Sequence, residues 1–308
     1  GKAGNSAIPS TLYARWTPNT YTCTFNKKGG TGGSNTAVAT YRAALPTVTK
    51  PALSGWTFQG YTDDFGKNTC LFVKANGAPT TRTWDYAADK TLYANWTKTV
   101  SLSANGATTA GSLASLTAGI GRPLGQKCSQ VASSHSDYPI RSLFKAGITD
   151  RSDWAPTRTG YTFAGYYNTS ASTGGTCWIT KDGTGEEVTS AIPSTLYARW
   201  TPNTYTVKFS VNGGAGSGYQ TADKTATYGS AMPAISTTKP TRTGYTFQGW
   251  YDNADYTKGT QYYNANGGSA CTWNKTATTT LYAGWKVIPH AISYDCAGGE
   301  LPEGARSS

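Results

Sequence analysis

Residues 205–210 read Tyr-Thr-Val-Lys-Phe-Ser, so Tyr205, Val207 and Phe209 alternate with Thr206, Lys208 and Ser210. A period of two marks a strand with one buried face. Asn212-Gly213-Gly214 follows and predicts a turn. "KTATYG" at 224–229 is a second strand candidate, and "AMPAI" with "KPTRTG" forms a Pro-marked crossover. "YTFQGWY" at 245–251 predicts a third strand, interrupted by Gly249, which signals a bulge or a close backbone approach. The fourth, "TTTLYAGW", ends at Trp285, with Leu281 and Ala283 alternating with Tyr282 and Gly284. Four strands must still cover one sheet face, and the crossover, or a short helix within it, is the expected cover.

The same pattern recurs along the chain, and a fixed order of recurring signatures indicates a repeat architecture. "TLYARW" ends at Trp16 and again at Trp200, and "TLYANW" ends at Trp96. "SGWTFQGY" begins at Ser54 and "TGYTFAGYY" at Thr159, matching "TGYTFQGWY" from Thr243. Opening strands align as "YTCTFNKKGG" from Tyr21, "TVSLSANGA" from Thr99, "YTVKFSVNGG" from Tyr205 and "AISYDCAGG" from Ala291. The seventeen residues "SAIPSTLYARWTPNTYT" at 6–22 return unchanged at 190–206, because the joint between units recurs. From central Gly to closing Trp the spacing is 41, 40 and 41 residues (Gly55 to Trp96, Gly160 to Trp200, Gly244 to Trp285). From opening Gly to central Gly it is 26, 54 and 31 (Gly29 to Gly55, Gly106 to Gly160, Gly213 to Gly244), so the middle unit carries an insertion. The chain therefore divides into a closing strand (1–16), repeat 1 (17–98), repeat 2 (99–201, insertion around 123–154), repeat 3 (202–287) and a further opening strand (288–308). Such ends read as those of a piece cut from a longer chain. The other reading is that split units on neighbouring chains complete one another by strand addition.

The order "YTVKFSVNGG … PTRTGYTFQGWY … TLYAGW" closely resembles the Listeria–Bacteroides repeat, the internalin B-type B repeat. Repeat 3 carries the pattern most completely. Repeat 1 departs with Trp56 and "KPALSG", and repeat 2 with its insertion and with Ala107 after Asn105-Gly106. The resemblance implies a mainly β or α+β fold: tandem small β-grasp-like (ubiquitin-like) domains arranged as an elongated string. It implies bacterial surface or secreted proteins, serving as stalks, spacers or adhesive segments. It brings no catalytic, cofactor-binding or metal-binding residues.

Composition agrees with strands and turns: 36 Gly, 21 Tyr and 10 Trp, with charged residues at only 14%. The net charge of +11 favours anionic partners such as wall polymers or acidic glycans. The basic residues are scattered, however, with one doublet at Lys27-Lys28, which argues against a nucleic-acid partner. A host or bacterial surface glycan or protein, or head-to-tail self-association, are the remaining partner classes. No run of 18 apolar residues reads as a membrane span, and the residues from Gly1 onward do not read as a signal peptide, so a mature piece or a fragment is expected.

Six cysteines with two histidines, and no CxxC, fit an oxidising extracellular compartment better than metal binding. Cys70 and Cys177 occupy similar places, where repeat 3 has Gln261, and the expected pairs are Cys23–Cys70 and Cys128–Cys177. Asp63-Asp64 is a candidate acid pair for glycoside hydrolysis, which needs two carboxylates flanking a sugar. Its counterparts are Asn168-Thr169 and Asp252-Asn253, so a polar turn is expected instead. Cys128 with His135 has generic spacing, "AGIGRPLG" lacks a strand–turn–helix setting, and "LPEGA" lacks the rest of a sorting signal. The recurring Tyr161, Phe163, Trp250, Tyr282 and Trp285 read as core, with a sugar-stacking platform as the alternative. The insertion predicts a short helix from Pro139 to Lys145 that offers Tyr138, Arg141, Phe144 and Lys145 for recognition.

Overall fold

The computed structural model describes residues 11, 13–63, 71–122, 124, 154–183, 185–292 and 297–299. Among these every regular element is a strand, and the chain divides into two compact units. The first holds residues up to Thr157 with Phe163–Arg199, and the second Arg158–Thr162 with residues from Trp200 onward. The strands are β1 (Thr20–Asn26), β2 (Thr36–Thr40), β3 (Thr57–Thr62), β4 (Leu71–Lys74), β5 (Lys90–Ser103), β6 (Ser115–Gly119), β7 (Tyr161–Tyr167), β8 (Cys177–Thr180), β9 (Thr195–Pro202), β10 (Thr204–Ser210), β11 (Lys224–Thr227), β12 (Tyr245–Tyr251), β13 (Gln261–Asn264) and β14 (Thr279–Val287).

Repeat 3 is the simplest sheet, ordered β11-β10-β14-β12-β13. The opening strand β10 pairs antiparallel with β11 and parallel with the closing strand β14, from Val207↔Thr279 to Ser210↔Tyr282. β12 runs antiparallel to both β14 and β13. The alternation read from sequence is the burial pattern: Val207, Leu281 and Ala283 are fully buried.

The bulge expected at Gly249 is present, as a register shift between Phe247 and Gly249 against β14. An extra residue lets two side chains three apart share one face, so the Phe247 and Trp250 rings meet at 5.7 Å in the core. Gly249 has φ +127°, and a Cβ there would stand 2.2 Å from the Tyr263 carbonyl oxygen. Gly60 repeats this geometry against Val73.

Two expectations are corrected. Each repeat has a further strand after the bulged one (β4, β8 or β13), too short to show a period of two. The open face in repeat 3 is not covered by a helix. Met232 and Ile235 from the crossover, with Trp273 from the segment before β14, close it. The two segments hold each other through Gly229 N–H to Trp273 O (2.8 Å) and Trp273 N–H to Ser230 O (2.9 Å). Trp84 fills the equivalent place in repeat 1, where Trp84 N–H reaches Ala43 O at 2.8 Å.

Repeat 1 has the same topology, with β1 parallel to β5 and β3 and β4 following on the other side. Fourteen-residue β5 does not stop at Trp96. Its second half is the opening strand of repeat 2, pairing antiparallel with β6 and parallel with β9, from Ser101↔Thr195 to Ser103↔Tyr197. Nine strands thus form one sheet.

Gly244 (φ +77°) has open space where a Cβ would stand, whereas Gly249 faces a carbonyl there. Gly244→Ala is expected to cost about 1 kcal/mol. Gly249→Ala should cost about 1–3 kcal/mol more, since its methyl overlaps fixed backbone. Urea titration of the two variants checks the order.

Candidate functional site

The residues that define the repeat gather where opening and closing strands meet. The turns after β1, the second half of β5 and β10 have two consecutive positive φ values, at Lys28/Gly29, Asn105/Gly106 and Asn212/Gly213, and Ala297/Gly298 shows the same pair of values. Asn tolerates this left-handed backbone and keeps an amide to use. Asn212 Nδ2 donates to Ala283 O on the closing strand (3.1 Å) and to Ala254 O (2.8 Å). Asn105 Nδ2 does the same to Ala198 O (2.8 Å) and Ser170 O (3.1 Å). The closing Trp completes the tie: Trp285 Nε1 donates to Val211 O at 3.1 Å, and Trp96 Nε1 to Lys27 O at 2.9 Å. The second Gly of the turn makes room for that indole, since a Cβ at Gly214 would lie 2.5 Å from Trp285.

The variable residue of "TLYAxW" sets what lies over the closing strand. In repeat 2 it is Arg199, whose guanidinium stacks 3.5 Å above the Tyr167 ring. In repeat 3 it is Gly284, where a Cβ would meet Tyr251 at 2.6 Å, and Tyr256 packs edge-on against Tyr251. In repeat 1 it is Asn95, whose Oδ1 accepts from Arg122 Nη2 of repeat 2 at 3.1 Å. Both side chains are buried, Asn95 at 6% exposure and Arg122 at 4%. Beside them Lys98 Nζ donates to Ile192 O (2.9 Å) and Trp56 Nε1 to Ser190 O (3.4 Å), joining repeats 1 and 2 through side chains. The guanidinium of the Arg of "RTGY" sits over the Tyr ring of the same turn, Arg158 over Tyr161 and Arg242 over Tyr245, each 4.0 Å from the ring centroid. Sequence reading missed Arg122 altogether, since a lone Arg in a loop carries no signal of burial.

Asp63 is enclosed by structural partners. Arg82 Nη2 lies 3.0 Å away and Tyr86 Oη donates a short hydrogen bond to it. Burial pushes the Asp63 carboxyl up, but these bonds and the Arg82 charge outweigh it and hold the carboxyl below its usual range. Its counterparts tie the same loop: Asn168 Oδ1 accepts from Thr176 N–H (2.8 Å) and Asp252 Oδ1 from Thr260 N–H (2.6 Å). Asp252 also pairs with Lys275 at 2.8 Å. Asp64 lies outside the described residues, as do Cys70, Cys128, His135, Tyr138, Arg141, Phe144, Lys145 and the helix expected at 139–145.

Cys23, Cys177 and Cys271 carry free thiols. Cys23 is fully buried in the core of repeat 1, where burial pushes its thiol up to about 12. The strand register sets Cys177 and Gln261 level with Leu71 rather than Cys70, opposite Tyr167, Tyr251 and Thr62. Cys70 precedes that position by one residue, because the loop before β4 is one residue shorter. Of the recurring aromatics, Trp250 and Trp285 are core, and Tyr161, Phe163 and Tyr282 are half-buried. Among the described residues no group of three or more His, Cys, Asp or Glu side chains could hold a metal, and no helix is long and apolar enough to cross a membrane.

The family model of the Listeria–Bacteroides repeat domain matches residues 21–95 and 205–284. Internalin H of Listeria monocytogenes is 40% identical over 101 residues, 32% of this chain and 15% of that protein. A protein of Evansella cellulosilytica named as a Gly-rich membrane protein is 27% identical over 79% of this chain and 22% of its own length. A second from that organism, named as a membrane protein, is 31% identical over 47% of this chain and 18% of its own. The chain thus spans between 15% and 22% of the length of these relatives.

Two outcomes follow from the polar contacts. A carboxyl held low in the folded state adds stability above the unfolded carboxylate pKa, and this is lost as pH falls through the folded value. Thermal melts of the protein and of Asp63→Asn should therefore converge as pH drops below about 4. Asn95→Leu should cost about 1–3 kcal/mol by taking an acceptor from the buried Arg122 guanidinium. The cost should shrink when Arg122→Leu is present, as a double-mutant cycle in urea would measure.

Proposed function

Because the chain belongs to the Listeria–Bacteroides repeat family, we propose that it is a non-enzymatic segment of an extracellular bacterial surface protein, serving as a stalk or adhesin segment. The observation that carries this reading is where the recurring residues go. In repeat 3 the turn Asn, the closing Trp, the "RTGY" pair and the bulge Gly are all spent on holding the sheet together. A chain selected for chemistry keeps polar groups free at a cleft. Here the acidic candidate Asp63 is engaged by Arg82 and Tyr86. The names of the relatives, an internalin and two membrane proteins, support a surface location.

The strand order supports assigning each repeat to the β-grasp class. Opening and closing strands lie parallel at the centre, an antiparallel hairpin flanks the opening strand, and a second flanks the closing strand. The usual helix of that class is replaced in repeat 3 by the extended crossover. Avidity from many weak contacts would be the adhesive mechanism, with anionic wall polymers or glycans as ligands for a chain of net charge +11.

Antibody labelling of intact cells that produce the parent protein tests the location. Surface labelling that is lost on protease shaving is expected, and a signal seen only after lysis would overturn the proposal. Titration on immobilised glycans and wall polymers separates the roles: saturable binding favours the adhesin, and its absence favours the stalk.

A further inference from the structure

The ends of each repeat enter and leave through two strands that are neighbours and parallel. In repeat 3 the chain enters at Thr204, the start of β10, and leaves at Val287, the end of β14. In a parallel pair those two points lie at opposite ends of the ladder. Tension on the chain therefore slides β10 against β14 and loads every bond between them together. Had the terminal strands been antiparallel neighbours, both chain ends would lie at one end of the ladder and its bonds would open one at a time. Repeat 1 has the same geometry, from Cys23↔Lys90 to Asn26↔Tyr93, and repeat 2 has it from Ser101↔Thr195 to Ser103↔Tyr197.

We propose that each repeat is a shear clamp, and that bearing tension is what this segment does; the proposal rests on the stalk reading and gives it a mechanism. The side-chain ties supply the independent support, because they span the pair that tension would slide. Trp285 near the end of β14 grips Val211 O just past the end of β10, and Asn212 beyond β10 grips Ala283 O on β14. Trp96 to Lys27 O, and Asn105 to Ala198 O, repeat the arrangement. A slip of one residue is about 3.3 Å, which takes both bonds out of range. The ties and the ladder therefore fail together. The "NG" turn and the closing Trp, the marks by which the repeat is recognised, are the two parts of this fastening.

Between repeats 1 and 2 the clamp has no slack. The fourteen residues of β5 are the outgoing strand of one clamp and the incoming strand of the next. The buried Arg122–Asn95 hydrogen bond fixes the two halves of that strand in place.

Single-molecule pulling on the full chain tests this, with clickable handles at chosen residues. Handles at Thr204 and Val287 load repeat 3 in shear. Handles at Thr204 and Thr279 load the same strand pair from one end. Rupture in shear is expected at several times the force needed from one end. Trp285→Phe combined with Asn212→Ala should speed rupture under constant shear load roughly tenfold and leave the one-ended force unchanged. Equal forces in the two geometries, or a double variant that weakens both alike, would overturn the clamp. A chemical denaturation midpoint for the variant identifies simple loss of fold. A soft protein on the cell surface would leave the stalk reading standing without the clamp. A strong clamp in a protein absent from the surface would do the reverse.

Discussion

Each repeat is organised around one pair of strands, the opening and closing strands, which lie side by side and parallel. Parallel neighbours cannot be joined by a tight hairpin, so everything between them must leave the sheet and come back. The return in repeat 3 adds an antiparallel partner to each member of the pair, β11 beside β10 and β12 beside β14, with β13 beyond β12. The crossover and the Trp273 segment then have only one place to lie, across the face that the strands leave open. The large aromatics follow from the same constraint. A sheet of five short strands buries little area, so Trp250, Trp273, Trp285, Tyr262 and Tyr263 supply most of the core volume.

Much of this was legible in the sequence, and the legible parts share a cause. Strands with one buried face write a period of two, as Val207 with Phe209 and Leu281 with Ala283 do. Most positions at positive φ are Gly, and the turn at 212–213 is Asn-Gly, which is why that turn and the bulge at 249 could be located, whereas Lys28, Arg42 and Ala297 take the same backbone without that mark. What was not legible lacks either mark. β13 reads Gln-Tyr-Tyr-Asn, with both tyrosines buried and no alternation. The cover over repeat 3 is extended chain, held by backbone bonds that any residue can make. The continuity of β5 was hidden because absence of a turn is hard to see: Thr97-Lys98-Thr99 simply lacks the Pro-Asn found at 202–203. The register of Leu71 rather than Cys70 with Cys177 arose from a segment between β3 and β4 that is one residue shorter than its counterpart, which the recurring signatures do not mark.

Polar side chains in this chain are used for geometry. The three residues at the variable position of "TLYAxW" show how one site is adapted to its surroundings: an Arg that stacks on its own repeat, a Gly that admits a Tyr, and an Asn that receives an Arg from the next repeat. The third choice goes with the joint that has no break. Composition and contact are therefore matched at the level of the joint, and the repeats are not interchangeable parts.

That fusion bears on how such a chain can grow. The identical stretches at 6–22 and 190–206 lie 184 residues apart and bracket repeats 1 and 2 together, with β5 inside the block. An exchange between them would insert or excise both repeats at once, leaving the shared strand uncut. The heritable module is then the fused pair rather than the single repeat, and length would change in steps that never break a sheet.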